Sequence, residues 1–325
     1  MTQETKTASL SRIKIPAFFR SQEGLLLVIL VVIMFVLSRM SNRFFTADNL
    51  LALTRLFVEV GLMTLPMTMI IITGGTDLSV GSMFGFTSVM LGAAWQYWGF
   101  PLPAAILVAL GIGLLCGAFN GLLITKLHIP PLIVTLATLA IYRGLAFGVS
   151  QARSVGGWPD SFQFLGQGYL GPFPVQFLIW VVAAVAVALF LGRTALGRYV
   201  YAIGNNEAGA LFSGIPVDRL KLALYMFSGF MAALAGVIFV SRVTTTRADA
   251  AMGLELDVIA AVVLGGTSIS GGSGSILGTT LGLLIISLLR NGLTLAGIKG
   301  DATVIIIGAV LVLAVWVNRL FTKQG

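Results

Sequence analysis

What most constrains this chain is where charge is missing. Runs 24–38, 60–76, 78–125, 174–192, 222–241, 258–289 and 302–318 contain no Asp, Glu, Lys or Arg. Charged residues make up 10% of the 325 and hydrophobic residues 57%, whereas a soluble domain carries about 25% charged. A water-soluble fold has nowhere to put that much apolar surface. A bilayer does, because lipid replaces the missing core. The expected fold class is all-α, a polytopic transmembrane helical bundle. No polar linker divides the chain, so one membrane domain is expected over 23–320, between an N-terminal segment 1–22 and a C-terminal tail 321–325.

Each crossing takes about 20 apolar residues, which divides the charge-poor runs into about ten helices. The long run 78–125 is split by Gly99-Phe100-Pro101-Leu102-Pro103, a Pro/Gly turn between two helices. The first run is followed by Met40-Ser41-Asn42-Arg43, without a small-residue cleavage site, and reads as a retained helix.

The net charge of +8, from 20 Lys and Arg against 12 Asp and Glu, then reads as topology. Basic residues collect at the cytoplasmic ends of spans and on anionic lipid, and no basic cluster suggests nucleic acid. Lys6, Arg12, Lys14 and Arg20 place the N-terminus inside. Ten crossings also put Lys126, the segment Arg193–Lys221, Arg319 and Lys323 inside. Arg242, Arg247, Arg290 and Lys299 fall outside, where Asp249, Glu255, Asp257 and Asp301 are available to offset them. The weakest span is 258–272, which either crosses or re-enters. Cys116 and His128 are single, so neither a disulfide within the chain nor a Cys/His metal set is available, and no cofactor is expected.

Glycine is frequent, at 39 residues. Gly113, Gly117 and Gly121 stand four apart, a small-residue stripe for close helix packing or for sliding. Two longer glycine-rich segments match each other in register: Gly74-Gly75-Thr76-Asp77-Leu78-Ser79-Val80-Gly81-Ser82 and Gly265-Gly266-Thr267-Ser268-Ile269-Ser270-Gly271-Gly272-Ser273. Both are expected to interrupt helices, as two glycine-broken junctions. Irregular backbone at membrane depth is tolerated only inside protein or along a wet cavity, and paired interruptions point to a transport path. Thr76, Ser79, Ser82, Thr267, Ser270 and Ser273 are candidates to satisfy the freed backbone groups. Neither segment has the lysine of a phosphate loop.

Asp77 is either a helix cap or a gating or proton-coupling group. Arg143 either reaches the outer interface or faces the cavity. The segment 193–221 is the longest cytoplasmic loop, in which Asn205-Asn206-Glu207 caps a short helix, Gly214 ends it and Pro216 blocks its extension. Such a helix docks on a soluble partner, or the segment is a plain solvated loop.

The motifs Gly74–Ser82 and Gly197-Arg198-Tyr199-Val200-Tyr201-Ala202-Ile203-Gly204-Asn205-Asn206-Glu207 resemble the ribose/xylose/arabinose-type permeases of ABC sugar importers. So do Ser213-Gly214-Ile215-Pro216-Val217-Asp218, the run Glu255–Gly266 and the run Gly272–Thr279. The resemblance covers nearly the whole chain. It implies an inner-membrane permease subunit that carries a sugar or sugar-like solute and has no catalytic site of its own. Its implied partners are a cytoplasmic ABC ATPase, a periplasmic sugar-binding protein and a second permease, copy or paralogue. It also implies ATPase contact by the segment with Asn205, Asn206, Glu207, Ser213 and Gly214. The glycine-rich breaks and the two intramembrane charges, read from the residues themselves, give the expected translocation path or gate: Thr76, Asp77, Ser79, Ser82, Arg143, Thr267, Ser270 and Ser273. One departure touches Glu207: in the importer-wide Glu-Ala-Ala-x-x-x-Gly pattern the glycine follows six residues after Glu, and here Gly214 follows seven after. The rival readings are an ion-coupled carrier using Asp77 and Arg143, against which charge scarcity weighs, and a membrane enzyme, for which no catalytic constellation is available.

Overall fold

The computed structural model describes residues 22–298 together with 302, 303, 305, 306, 308 and 309. The expected N-terminal segment, with Lys6, Arg12, Lys14 and Arg20, lies outside the described residues, as do Lys299, Asp301, Arg319, Lys323 and nearly all of the last apolar run. The elements are α1 (Gln22–Met40), α2 (Ala47–Leu56), α3 (Val58–Ile72), α4 (Val80–Gly92) continued by a π-helical turn (Ala93–Tyr97), α5 (Leu102–Lys126) and α6 (Pro131–Ser150). They continue with α7 (Asp160–Gln167), strands β1 (Tyr169–Leu170) and β2 (Phe173–Pro174), α8 (Val175–Arg193), α9 (Ala195–Asn205), α10 (Glu207–Phe212), α11 (Val217–Val243), α12 (Leu254–Leu264) and α13 (Ile276–Leu295). The two strands form a small antiparallel hairpin, and the rest is an all-α bundle.

Among the described residues, six helices are long and apolar enough to cross a membrane: Glu23–Met40, Leu102–Lys126, Pro131–Ser150, Val175–Arg193, Val217–Val243 and Ile276–Leu295. A seventh is added if Ala47–Arg55 and Val58–Ile72, bent by 46°, form one span. Helix length therefore carries six or seven of the ten expected crossings. The shortfall has local causes. α4 has 13 residues before its π turn, α12 has only 11, and the last run is barely described.

The layering follows from sequence character. α3 and α4 are apolar on every side, which marks buried helices, and every residue of α4 is buried. The outer helices present apolar side chains instead: Phe35 is 67% exposed, Leu107 68% and Val182 69%. Water would penalise that surface, whereas lipid does not.

The small-residue stripe of α5 sits on α11. A Cβ at Gly113 would strike the carbonyl of Gly229, one at Gly117 the carbonyl of Tyr225, and one at Gly229 the carbonyl of Gly113. Backbone meets backbone, and no other residue fits at either Gly117 or Gly229 without moving a helix. α4 has its own stripe at Gly81, Gly85 and Gly92. Along it runs irregular chain from the α11–α12 connection: Thr246 faces Gly92, the carbonyls of Ala248 and Ala250 face Gly85, and Ala251, with Glu255 from the first turn of α12, faces Gly81.

Candidate functional site

Helix α3 stops at Ile72. The next residues turn back, with Gly74 at φ +79° and the Gly75 amide bonded to the Ile70 carbonyl at 3.0 Å. This places Asp77 in the interior, with no exposed surface. Its Oδ1 accepts from the Ser79 amide at 3.1 Å and from the Ser79 hydroxyl at 2.6 Å. Its Oδ2 accepts from Ser228 of α11 at 2.7 Å. Asn120 Nδ2 of α5 donates to Ser79 Oγ at 2.8 Å, and Tyr142 of α6 donates to Asn120 Oδ1 at 3.0 Å. Tyr225 donates to the Thr76 carbonyl at 3.1 Å. The first glycine-rich turn is thus the hub of a buried polar network that ties α5, α6 and α11 together. Both oxygens of Asp77 are occupied, one of them by a backbone amide as in a cap. Ser82 donates to the Ser79 carbonyl at 2.8 Å.

The second glycine-rich turn is built differently. Gly266, Gly271 and Gly272 all have left-handed φ values, 91°, 87° and 80°. Backbone bonds close it, from the Ser268 amide to the Ser273 carbonyl at 3.0 Å and from the Gly271 amide to the Ser268 carbonyl at 2.9 Å. The expectation that Thr76, Thr267, Ser270 and Ser273 satisfy the freed backbone is corrected here. Among the described residues their side chains make no hydrogen bond: the second turn is closed by its own backbone, and in the first Asp77 and Ser82 take the Ser79 amide and carbonyl. Thr267 Oγ1 is buried without a partner, while Ser270 and Ser273 are exposed.

The two turns meet each other and the end of α9. The Gly272 amide donates to the Ile72 carbonyl at 2.9 Å. A Cβ at Gly204 would collide with the Ile72 carbonyl and lie 2.5 Å from the Gly272 nitrogen. Tyr201 of α9 donates to the Gly274 carbonyl at 2.9 Å, and the burial that this requires raises the pKa of its phenol above the ordinary value.

Beyond that contact the chain enters α10. Asn206 is its cap, accepting from the Gly209 amide at 2.8 Å. Gly214, at φ +80°, ends it in a left-handed stop, with the Ile215 amide on the Ala210 carbonyl at 3.1 Å. Glu207 pairs with Lys221 at 2.7 Å, and Ser213 donates back to the Gly209 carbonyl. Phe212 is 90% exposed, a large apolar side chain on the outer face of α10, whose inner face packs through Ala210.

Arg143 does not extend freely from α6. Its Nη1 donates to the carbonyls of Ala248 at 2.7 Å and Ala250 at 2.9 Å, and its Nη2 to that of Gly81 at 3.3 Å. The first two belong to the irregular chain along α4, where the guanidinium satisfies backbone that no helix satisfies, and the third belongs to α4 itself. Glu59 and Arg242 form a two-bonded ion pair at 2.8 and 3.1 Å. With the Asp257–Arg290 pair at 2.8 Å it lines a cavity of about 390 Å³. Arg247 pairs with Asp249 at 2.8 Å. Two of the expected offsets are therefore specific pairs, while Arg242 has Glu59 as its partner.

Asn120, Tyr142, Tyr225, Ser228 and Phe212 were not among the residues singled out from sequence. The signal for Asn120 and Ser228 is present, since each is a polar side chain within a long apolar helix.

Residues 49–315 match the family described as branched-chain amino acid transport system / permease component. The chain is 40% identical over 292 residues to the ribose import permease protein RbsC of Bacillus subtilis (strain 168), covering 89% of this chain and 90% of that protein. It is 37% identical over 297 residues to the autoinducer 2 import system permease protein LsrD of Escherichia coli (strain K12), covering 89% of each. It is 36% identical over 321 residues to the ribose import permease protein RbsC of Escherichia coli (strain K12), covering 97% and 98%. No solved structure matches the chain.

Proposed function

The chain belongs to the family of branched-chain amino acid transport system / permease components, and on that premise we propose that it is the membrane permease subunit of a binding-protein-dependent ABC importer for a sugar or sugar-like solute. The full-length similarity to import permeases for ribose and for autoinducer 2 supports that solute class. The energy comes from ATP hydrolysed by a separate cytoplasmic subunit, and the solute arrives on a periplasmic binding protein. A second permease, copy or paralogue, completes the pathway. The subunit lies in the bacterial inner membrane as a single domain over 23–320. It crosses ten times, with both termini cytoplasmic and with the chain broken at its two glycine-rich turns.

The observation that carries the mechanism is the junction of Ile72, Gly204 and Gly272. α10, together with Asn205, Asn206, Glu207, Ser213 and Gly214, is the ATPase-coupling element, and Phe212 is its apolar anchor. When ATP draws the two ATPase subunits together, α10 moves as a rigid body with α9. Because α9 is seated on both turns, the displacement reaches the translocation path and gate at Thr76, Asp77, Ser79, Ser82, Arg143, Thr267, Ser270 and Ser273. In this reading Asp77 and Arg143 position the gate through the hydrogen bonds that occupy them and do not carry coupling ions.

The test is uptake in proteoliposomes that contain the chain, its ATPase and its binding protein. Import is expected to require ATP and to be insensitive to an ionophore. Uptake by the chain alone down an ion gradient would overturn the assignment. The double variant Glu207→Arg with Gly214→Pro is expected to abolish import while membrane insertion persists, and unchanged import would remove the coupling role from α10.

A further inference from the structure

Between α8, α9 and α11 lies a groove of about 360 Å³ whose lining includes none of the residues proposed for the translocation path. Its walls are apolar: Val187 and Phe190 from α8, Leu196 from the first turn of α9, Leu224 and Phe227 from α11, and Met69 behind them. Basic residues flank the wall residues in sequence: Arg193 follows Phe190, Arg198 follows Leu196, and Arg219 precedes Leu220. Arg193 lies one turn beyond Phe190 on the same face of α8, is exposed, and has no ion pair among the described residues. Arg198 and Arg219 are exposed and likewise without an ion pair among the described residues. The acidic side chains of the segment are already engaged, Glu207 by Lys221 and Asp218 by Lys126.

An apolar concavity facing hydrocarbon holds no water and is filled by an acyl chain. Apolar walls alone do not select one lipid over another, because lipid tails are as apolar as leucine. Selection comes from Arg193, which shares a helix face with Phe190 and favours an anionic head group at the cytoplasmic surface. We propose that the groove binds one anionic phospholipid, with its acyl chain against Phe190, Leu224 and Phe227 and its phosphate on Arg193. Leu196 gives the site a consequence. α9 forms part of the wall, and its far end carries Tyr201 and Gly204 onto the glycine-rich turns. A lipid seated here braces the coupling helix against α8 and α11. The inference rests on the proposed membrane orientation but not on the ATPase partner, so its failure is distinct from failure of the importer assignment.

The experiment is native mass spectrometry of the full chain released from micelles holding equimolar phosphatidylglycerol and phosphatidylcholine. The wild type is expected to retain one phosphatidylglycerol, with a preference of about fivefold for one well-placed arginine. Arg193→Gln is expected to lose the preference, and Arg193→Lys to keep most of it. Ala223→Trp, which fills the groove, is expected to lose both lipids. Equal retention of the two lipids by the wild type overturns the proposal, and so does a preference that Arg193→Gln leaves unchanged. If Ala223→Trp converts a dimer to a monomer without altering lipid retention, the groove belongs to a second copy and the proposal fails. If Ala223→Trp does not fold, the Arg193→Gln and Arg193→Lys pair decides alone.

Discussion

A buried carboxylate in a membrane protein invites a catalytic or ion-coupling role, and Asp77 shows why geometry has to be consulted first. Its two oxygens accept from three donors, the Ser79 amide, the Ser79 hydroxyl and the Ser228 hydroxyl. Removing the carboxylate strands all three, and a stranded buried polar group costs about 1–3 kcal/mol. Asp77→Ala is therefore expected to lower the thermal unfolding midpoint in detergent well below wild type. Ser228→Ala, which removes a single donor, should lower it by about a third as much or less. Equal midpoints for Asp77→Ala and wild type would show that the network does not hold the bundle. Arg143 follows the same logic with a different geometry. Lysine lacks the planar fork that reaches three carbonyls, so Arg143→Lys is expected to destabilise, and Arg143→Met more so, in the same melting assay. If the two variants melt like wild type, the guanidinium is not what satisfies the irregular chain along α4.

At the scale of elements, legibility tracked how local the determinants are. α10 was readable because its cap Asn206, its stop Gly214 and the following Pro216 all lie within a dozen residues. The Pro/Gly turn before α5 was readable for the same reason. The short helix α12 and the irregular chain beside α4 were not, because what shapes them is remote in sequence: the glycines of α4 make room for them, and Arg143 from α6 satisfies their carbonyls. Asn120 and Ser228 were visible as polar residues in apolar helices, yet nothing local shows that they converge on one turn. The α5–α11 contact depends on glycine at Gly117, where any side chain meets the Tyr225 carbonyl. Gly117→Leu is expected to part the two helices and to abolish stable accumulation in the membrane, measured by quantitative immunoblotting of membrane fractions. Gly111, with nothing within reach of a Cβ, should accept alanine without loss. Phe212 sets the outward character of α10. Phe212→Ala is expected to weaken binding of the ATPase at least tenfold, as loss of a buried aromatic anchor does, while insertion is unaffected. Pull-down titration with purified ATPase reads this directly.

The whole molecule has two surfaces of different chemistry, an apolar belt that requires lipid and an end that presents α9 and α10, the cytoplasmic end in the proposed orientation, and α9 lies where the two meet. Its last turn lies against both glycine-rich turns, so the proposed motion of α10 is expected to reach both together. The Tyr201 hydroxyl is the one α9 side-chain bond, among the described residues, that reaches the second turn. Removing it leaves the Gly272–Ile72 backbone bond intact and the α9 helix unaltered, which separates transmission from folding. A net hydrogen bond contributes about 1 kcal/mol, which corresponds to about fivefold in the equilibrium between coupled and uncoupled arrangements. Tyr201→Phe is therefore expected to raise the number of ATP molecules hydrolysed per solute imported by up to about fivefold, with the ATPase rate and membrane insertion unchanged. Ser270→Ala is the matched control on the same turn, since its side chain is exposed and makes no bond among the described residues, and it should leave the ratio where it is. If both variants leave the ratio unaltered, the motion reaches the turns through backbone contact at Gly204 alone. In that case Gly204→Ala, whose added methyl meets the Ile72 carbonyl, is the substitution that should uncouple hydrolysis from import.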